Sequence, residues 1–298
     1  MQANLKRLLF KDVIVLDRAI KRKNTFLKSD SILIFTCGAH RNDPERRGRA
    51  TLLEYANKHL HEYKFFMAED FFDTFSGADK SNLLSLEEQM AQYSDCIVIV
   101  LESESTFAEL GAFAISKEIA QLCLIINEIE FKDSESFINQ GPIKKLNDVS
   151  LFKPVINVKL ESISTAFNEL ESRLRIIKKE RNKSVDFSTY EKLSKGTSKH
   201  RLLFLLDLIS LFSPIKNTEL VDILKLIYGD EDFKIGFEKA LLKALGMIEI
   251  RDDYIYQSVN DMKLYFEYKG FNVNKLRARV VNLYHKYSRD RMTYLVSR

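Results

Sequence analysis

Long apolar runs are missing from this 298-residue chain. None approaches the roughly 20 residues needed to span a bilayer, so no membrane-spanning helix is expected. Proline and glycine are scarce, at 4 and 10 residues, which argues against long disordered tracts. Cysteine is limited to Cys37, Cys96 and Cys123, each in or beside an apolar run that reads as a strand. An odd, unclustered set predicts reduced thiols in a cytosol, not a disulfide framework. The five histidines have no cysteine pairs near them, so no zinc site is expected and no metal is assigned. Charges interrupt the apolar residues near the start. The N-terminus therefore does not read as a secretory signal, and the expected location is the cytoplasm.

Hydrophobic residues make up 45% and charged residues 30%, a composition able to bury a core. The length suits one large domain or two ordinary ones. The net charge of +4 is mild, but its distribution is uneven. Residues 275–298 carry Lys275, Arg277, Arg279, Lys286, Arg289, Arg291 and Arg298 against Asp290 alone. Such a segment suits a polyanionic partner, or else it is a solvated helix face. In the first reading Arg277, Arg279, Lys286 and Arg289 are the candidate nucleic-acid contacts, with Tyr284, Tyr287 and Tyr294 among them.

Hydrophobic periodicity predicts a helix over 5–23, which either packs on the domain that follows or meets a membrane or partner. Strands are expected at 31–36, 64–67, 96–101, 122–126 and 154–158. Helices are expected at 52–60, 83–93, 106–120 and 163–179. This alternation implies an α/β fold with a doubly wound parallel sheet. Ligands in such sheets sit outside the carboxyl ends of the strands, here the loops after Thr36, Met67, Leu101 and Ile126. A polar, basic stretch over 181–199 reads as a linker. Beyond it, helices are expected at 201–212, from a Thr218 cap to 227, and from an Asp232 cap to 245, with Gly246 as a stop. Strands 247–250 and 254–256 flank a turn at 251–253. Three helices followed by a hairpin are the order of a winged helix. The chain thus divides into an N-terminal helical extension (1–30), an α/β domain (31–180), a basic linker (181–199) and a winged-helix-like α+β domain with a basic C-terminal helix (200–298). On the candidate recognition helix, Lys234, Lys239 and Lys243 mix with Asp230, Asp232 and Glu238. That mixture favours protein contact or sequence-independent binding over base reading.

Chemistry concentrates after the third strand, at 101–114, which reads as strand, polar loop and helix. Thr106 can cap that helix, and Glu109 follows three residues later, as in a capping box. On that reading Glu109 only bonds backbone. The loop holds two further carboxylates, Glu102 and Glu104, at the mouth of the sheet. Leu110-Gly111 follows Glu109, and a small residue there admits close approach of another group.

The run Thr106-Phe-Ala-Glu-Leu-Gly-Ala112 resembles the Glu-Leu-Gly motif of nucleoside deoxyribosyltransferases. In that family the glutamate is the nucleophile that takes up the sugar, which implies Glu109. The resemblance also implies a helix carboxylate eight residues before the aspartate that opens the next strand. Here Glu87 stands eight residues before Asp95. Glu102 or Glu104 corresponds to a further loop carboxylate, beside Ser105 and Thr106. Cys37-Gly38-Ala39 corresponds to the loop lining the base pocket, without its usual aromatic residue. The likeness covers about residues 31–180. The transferase-like domain, basic linker and winged helix together resemble the effectors of bacterial retron anti-phage systems. That resemblance implies a toxin restrained by a reverse transcriptase and its branched DNA–RNA (msDNA), an oligomer or filament with that complex, and depletion of NAD.

N-glycoside cleavage passes through an oxocarbenium-like state that a carboxylate beneath C1 can trap. A purine leaving group needs a proton, from a second carboxyl of raised pKa. The nicotinamide of NAD is already cationic and leaves neutral, so one nucleophile and a positioning group suffice. Arg41, Arg46 and Arg47 are placed either to meet a pyrophosphate or as a solvated helix start. NAD enters as substrate, and no cofactor is assigned. The alternatives are a deoxyribosyltransferase or hydrolase acting on nucleosides or nucleotides, and a non-enzymatic nucleotide-sensing DNA-binding regulator.

Overall fold

The computed structural model describes residues 2–21, 25–75, 82–194, 198–229, 233–257 and 263–296. The chain forms two compact units, Ser31–Lys179 and a second that joins Met1–Asp30 to Glu180–Arg298. It opens, within that second unit, with helix α1 (Gln2–Lys21) and strand β1 (Thr25–Leu27).

The Ser31–Lys179 unit runs β2 (Ile32–Cys37), α2 (Gly48–His59), β3 (Tyr63–Phe66), α3 (Ala68–Phe72), α4 (Leu83–Tyr93), β4 (Cys96–Val100), α5 (Glu104–Ile115), α6 (Lys117–Ala120), β5 (Cys123–Glu128), α7 (Lys144–Val149), β6 (Ile156–Val158) and α8 (Phe167–Leu174). Its five strands form one parallel sheet in the order β3-β2-β4-β5-β6. Successive side chains point to opposite faces, and both faces are covered. Ile34, Val98 and Leu124 pack with Leu52 of α2 and Leu170 of α8. Phe35 instead meets Phe66 and, on α5, Phe113. Every residue of β4 is buried, and each such Val or Ile contributes about 1.5–3 kcal/mol. A strand apolar at every position is stable only inside a sheet covered on both sides.

From β3 the chain crosses over β2 to place β4 on its other side. The connections leaving β2 and β4 therefore diverge, and a cleft opens at their carboxyl ends. The α/β class with a parallel sheet agrees with the strand–helix rhythm of the sequence. Two local features differ. The helix expected over 106–120 breaks at Ser116, whose backbone is extended and whose hydroxyl accepts from the Ile119 N–H to start α6. The short helix α3, anchored by fully buried Phe71, is too brief to show a period.

The second unit continues with β7 (Lys183–Ser184), α9 (Lys199–Phe212), β8 (Ile215–Lys216), α10 (Asn217–Tyr228), α11 (Gly236–Ala244), β9 (Ile248–Arg251), β10 (Tyr254–Gln257), β11 (Phe266–Tyr268), α12 (Val273–Tyr287) and α13 (Asp290–Val296). Helix α9 is apolar around most of its circumference and buried along nearly its whole length, as such a helix must be. Strands β9 and β10 form the expected hairpin, with β8 added to its edge.

Residues 1–30 are not a separate extension. The apolar stripe of α1, with Val13, Leu16 and Ile20, is buried against α10 and α12. Strand β1 lies between β11 and β7, antiparallel to both. The stretch read as a linker likewise supplies β7 and the buried Val185, Phe187 and Leu193. Its polar residues concealed these anchors. Thr218 does not cap α10. The helix starts at Asn217, and Glu219 accepts from the N–H of Lys216, the cap residue. The Asp232 cap, with Asp230, lies outside the described residues, whereas Gly246 ends α11 at φ +64°. No helix among the described residues is long and apolar enough to cross a membrane.

Candidate active site

The cleft at the carboxyl ends of β2 and β4 is built around one carboxylate. Glu102, just past β4, accepts from the N–H groups of Ala39 (3.0 Å), Gly48 (2.7 Å) and Arg49 (3.0 Å). It thereby pins both ends of the loop between β2 and α2. The pin leaves no room for side chains. A Cβ on Gly38 would lie 2.4 Å from Arg49 Cβ and 2.8 Å from Glu102 Oε1. One on Gly48 would lie 2.6 Å from Glu102 Oε2. Glu102 was a candidate substrate contact, but its oxygens are committed to backbone. Ala39 is buried, with its N–H given to the same carboxylate.

Beside this pin is a cavity of about 170 Å³, lined by Cys37, Gly38, Arg49, Glu69, Glu87, Ser105 and Glu109 among others. Five elements contribute: β2 gives Cys37, α2 gives Arg49, α3 gives Glu69, α4 gives Glu87 and α5 gives Ser105 and Glu109. Glu109 is not a capping residue. The cap of α5 is Ser103, and the reciprocal partner is Thr106, whose hydroxyl donates to the Ser103 carbonyl (2.6 Å) and accepts from the Ser103 N–H (3.2 Å). Thr106 is fully buried in that role. Glu109 therefore sits one turn further on, released from the helix end.

Its surroundings are unusual for a carboxylate. Oε2 of Glu109 is buried without a hydrogen-bond partner, a costly state for an ionised oxygen. The pKa is pushed up to about 7 by desolvation and then by the charge of Glu87, against a hydrogen bond from the Cys37 thiol and the charge of Arg49. Glu87 is also pushed up to about 7, by desolvation and then by Glu69. Burial would raise Glu69 as well, but its pairing with Arg49 outweighs this and holds it low. Arg49 is buried and meets Glu69 through both terminal guanidinium nitrogens, Nη1 at 3.1 Å. The site thus combines one fixed ion pair with two carboxyls that titrate near neutrality, the arrangement that separates acid, base and nucleophile roles.

Reading the sequence missed Arg49 and Glu69. The strand-end rule had marked the loop after Met67, where Glu69 lies, and Arg49 follows the pinned Gly48. Other candidates are not brought to this cavity. Arg46 pairs with Glu104 at 2.8 Å on the surface and lines a separate cavity of about 480 Å³ with Arg47 and Phe107. Arg41 holds Asp70 and Asp73, and Arg47 holds Glu54. The arginine cluster is thus engaged with the protein's own carboxylates. Gly111 admits no close partner in its unit: a Cβ there would meet nothing within 4 Å.

The basic segment of the second unit does not form one surface. Arg277 and Arg279 stand two residues apart on α12 and so face apart. Arg279 pairs with Asp12 at 3.0 Å, whereas Arg277 lines a cavity with Lys28, Lys263 and Lys269. Lys286 and Arg289 are exposed. Arg291 is buried, held by Glu219 and the Pro214 carbonyl, against the rings of Tyr254 and Tyr284. Tyr284 is also buried and donates to the Phe212 carbonyl. Arg291 and Tyr284 are thus internal supports. The side chain of Tyr294, and Arg298, lie outside the described residues.

Among known proteins, residues 45–250 match the family described as STM3845 retron effector protein. The Escherichia coli protein named "Retron Ec73 putative ribosyltransferase/DNA-binding protein" is 31% identical over 278 residues, covering 87% of this chain and 86% of its own. A second Escherichia coli protein, with the same description under retron Ec86, is 32% identical over 152 residues, covering 50% of this chain and 48% of its own.

Proposed function

The chain belongs to the STM3845 retron effector family, and from that premise we propose that it is an N-glycosidase that hydrolyses NAD at the nicotinamide–ribose bond, with Glu109 as nucleophile. The observation that carries this reading is the partnerless buried oxygen of Glu109, in a cavity at the strand-order switch and within electrostatic reach of Glu87. The Ser31–Lys179 unit is then a nucleoside deoxyribosyltransferase-like domain. The names of the two relatives, as ribosyltransferases, support the same class of chemistry.

Ionised Glu109 attacks C1 of the ribose. The C–N bonding pair leaves with the nicotinamide, which departs neutral, through an oxocarbenium-like state. A ribosyl ester on Glu109 results. Water then attacks C1 and gives a proton to Glu87, freeing the Glu109 carboxylate and ADP-ribose. The Cys37 thiol donates to Glu109 and fixes its rotamer. Three carboxyls against one paired arginine make the cavity favourable for a cationic ring. Its volume lies below the roughly 300–1,000 Å³ of common ligand pockets, which suits one heterocycle and part of its sugar, with the rest of the dinucleotide outside. A second reading, hydrolysis or transfer of purine nucleosides or nucleotides, is favoured by the raised pKa of Glu87. At neutral pH part of that carboxyl is protonated and able to protonate a leaving purine.

In the second unit, three helices, an edge strand and a hairpin follow winged-helix order. With the relatives' names as DNA-binding proteins, this supports contact with the retron's own nucleic acid. We infer that the reverse transcriptase and its branched DNA–RNA restrain the enzyme as a toxin in anti-phage defence.

The test is nicotinamide release by purified wild type and Glu109→Gln, alone and with the reverse transcriptase complex. Release by wild type only is expected. Release by Glu109→Gln at the wild-type rate sinks the nucleophile assignment. No release from any folded sample moves the substrate to nucleosides or nucleotides.

A further inference from the structure

We propose that the cavity between β11 and α12 of the second unit binds backbone phosphates of a nucleic-acid strand without reading its sequence. This rests on the reading that the second unit contacts nucleic acid, and it locates where. The cavity has a volume of about 690 Å³ and lies within one unit. Its cations come from two distant parts of the chain. Lys28 follows β1, Lys263 and Lys269 flank β11, and Arg277 lies on α12.

The fold brings them together by strand pairing. Leu27 pairs with Phe266, and the Lys28 N–H donates to the Tyr265 carbonyl at 2.7 Å. Gly270, at φ +77°, turns the chain tightly from Lys269 toward α12. Integration of residues 1–30 into the second unit therefore completes the site.

The cavity gathers cations that the unit's own carboxylates do not take up. Elsewhere in the unit, Lys6, Lys199, Arg201, Arg279 and Arg291 are each matched to a carboxylate. Lys28, Lys269 and Arg277 have no carboxylate partner within 4.0 Å among the described residues. Lys269 lies over the Phe26 ring at 4.3 Å. Ring faces position an ammonium without neutralising it. Among the described residues, Glu267 is the one acid lining the cavity. Asp207, which feels Lys28, is fully buried and committed to the N–H groups of Tyr265 and Phe266 and the Tyr268 hydroxyl. The positive end of α12, capped by Asn272, adds to the field. Half-buried Phe271 offers a face for a base.

The experiment uses the full chain and a fluorescent 20-nucleotide single strand of mixed sequence. Anisotropy is followed as salt rises, for wild type, Lys28→Ala/Lys269→Ala/Arg277→Ala and Lys286→Ala/Arg289→Ala. The triple variant is expected to bind at least about 10-fold more weakly at 0.1 M salt, with its salt slope reduced by about 2, because each single-strand phosphate contact contributes about 0.7. The double variant should stay within about 2-fold of wild type. Melting temperature and nicotinamide release check that the variants are folded. AMP in competition separates a strand from a free nucleotide carrying the same phosphate. If AMP binds through these residues and the strand does not, the proposal is overturned. Equal slopes for wild type and triple variant also overturn the site while leaving nucleic-acid contact in place. No strand binding by wild type overturns both.

Discussion

Replacing Glu109 with glutamine should stabilise the protein while removing its activity, and the gain should appear only as pH rises. A carboxyl whose folded pKa is raised holds its proton more tightly in the folded state. Its stabilising contribution is complete below the unfolded value near 4.5 and is lost as pH climbs through about 7. The full shift corresponds to a loss of about 3 kcal/mol above pH 8. Glu109 is half-buried at a cavity wall, so water screens part of this, and about 1–2 kcal/mol is the expected cost. Glutamine keeps the shape and cannot ionise. Urea unfolding of wild type and Glu109→Gln at pH 4.0 and 8.0 measures the difference. The two midpoints should nearly coincide at pH 4.0, below the unfolded value. At pH 8.0 the variant midpoint should be higher by about 0.5–1 M for a slope of about 2 kcal/mol per molar. A variant that is less stable than wild type at pH 8.0, or equal at both values, would refute a strained buried carboxyl at Glu109 and with it the physical basis of the nucleophile.

The rate of nicotinamide release should rise with pH through about 7 as Glu109 ionises, then level off, because nicotinamide needs no protonation. In Glu87→Gln the midpoint should move to lower pH, since the neighbouring charge is gone, and release from NAD should fall less than release from a purine nucleoside; equal losses contradict the leaving-group reasoning. Gly38→Ala should abolish activity and cost about 1–3 kcal/mol through a Cβ forced against Arg49. Gly111→Ala, with open space, should gain about 0.5–1 kcal/mol from helix propensity and leave activity intact; thermal melts and nicotinamide release read both. Arg291→Ala should cost about 3–5 kcal/mol by stranding Glu219 without altering the salt slope of strand binding, which denaturation and anisotropy together report.

The parallel sheet was legible because its strands are short, β-rich and apolar throughout, while the helices between them are amphipathic. Glu109 was legible through its motif, yet its surroundings were not. Spacing alone made Thr106 the helix cap, whereas the structure gives that place to Ser103. Arg49 and Glu69 meet across two elements, and a tertiary ion pair leaves no local pattern. Glu102 looked like a substrate carboxylate because its partners are backbone N–H groups, which sequence does not mark. The N-terminal helix showed its apolar stripe plainly. What covers the stripe lies more than 190 residues away on α10 and α12, and periodicity carries no address.

The Glu102 pin makes residues 40–47 a lariat closed without a covalent bond. Both feet of the loop, Ala39 at one end and Gly48 and Arg49 at the other, are tied to one carboxylate. Lengthening a flexible loop with fixed ends costs little, about 0.6 kcal/mol per doubling. Relatives can therefore vary the length and chemistry of this loop, and so what it offers an incoming ligand, without displacing Arg49 or the carboxyls of Glu87 and Glu109. A retron effector lineage under pressure from its phages would hold a freely editable segment at the rim of an unmoving cavity.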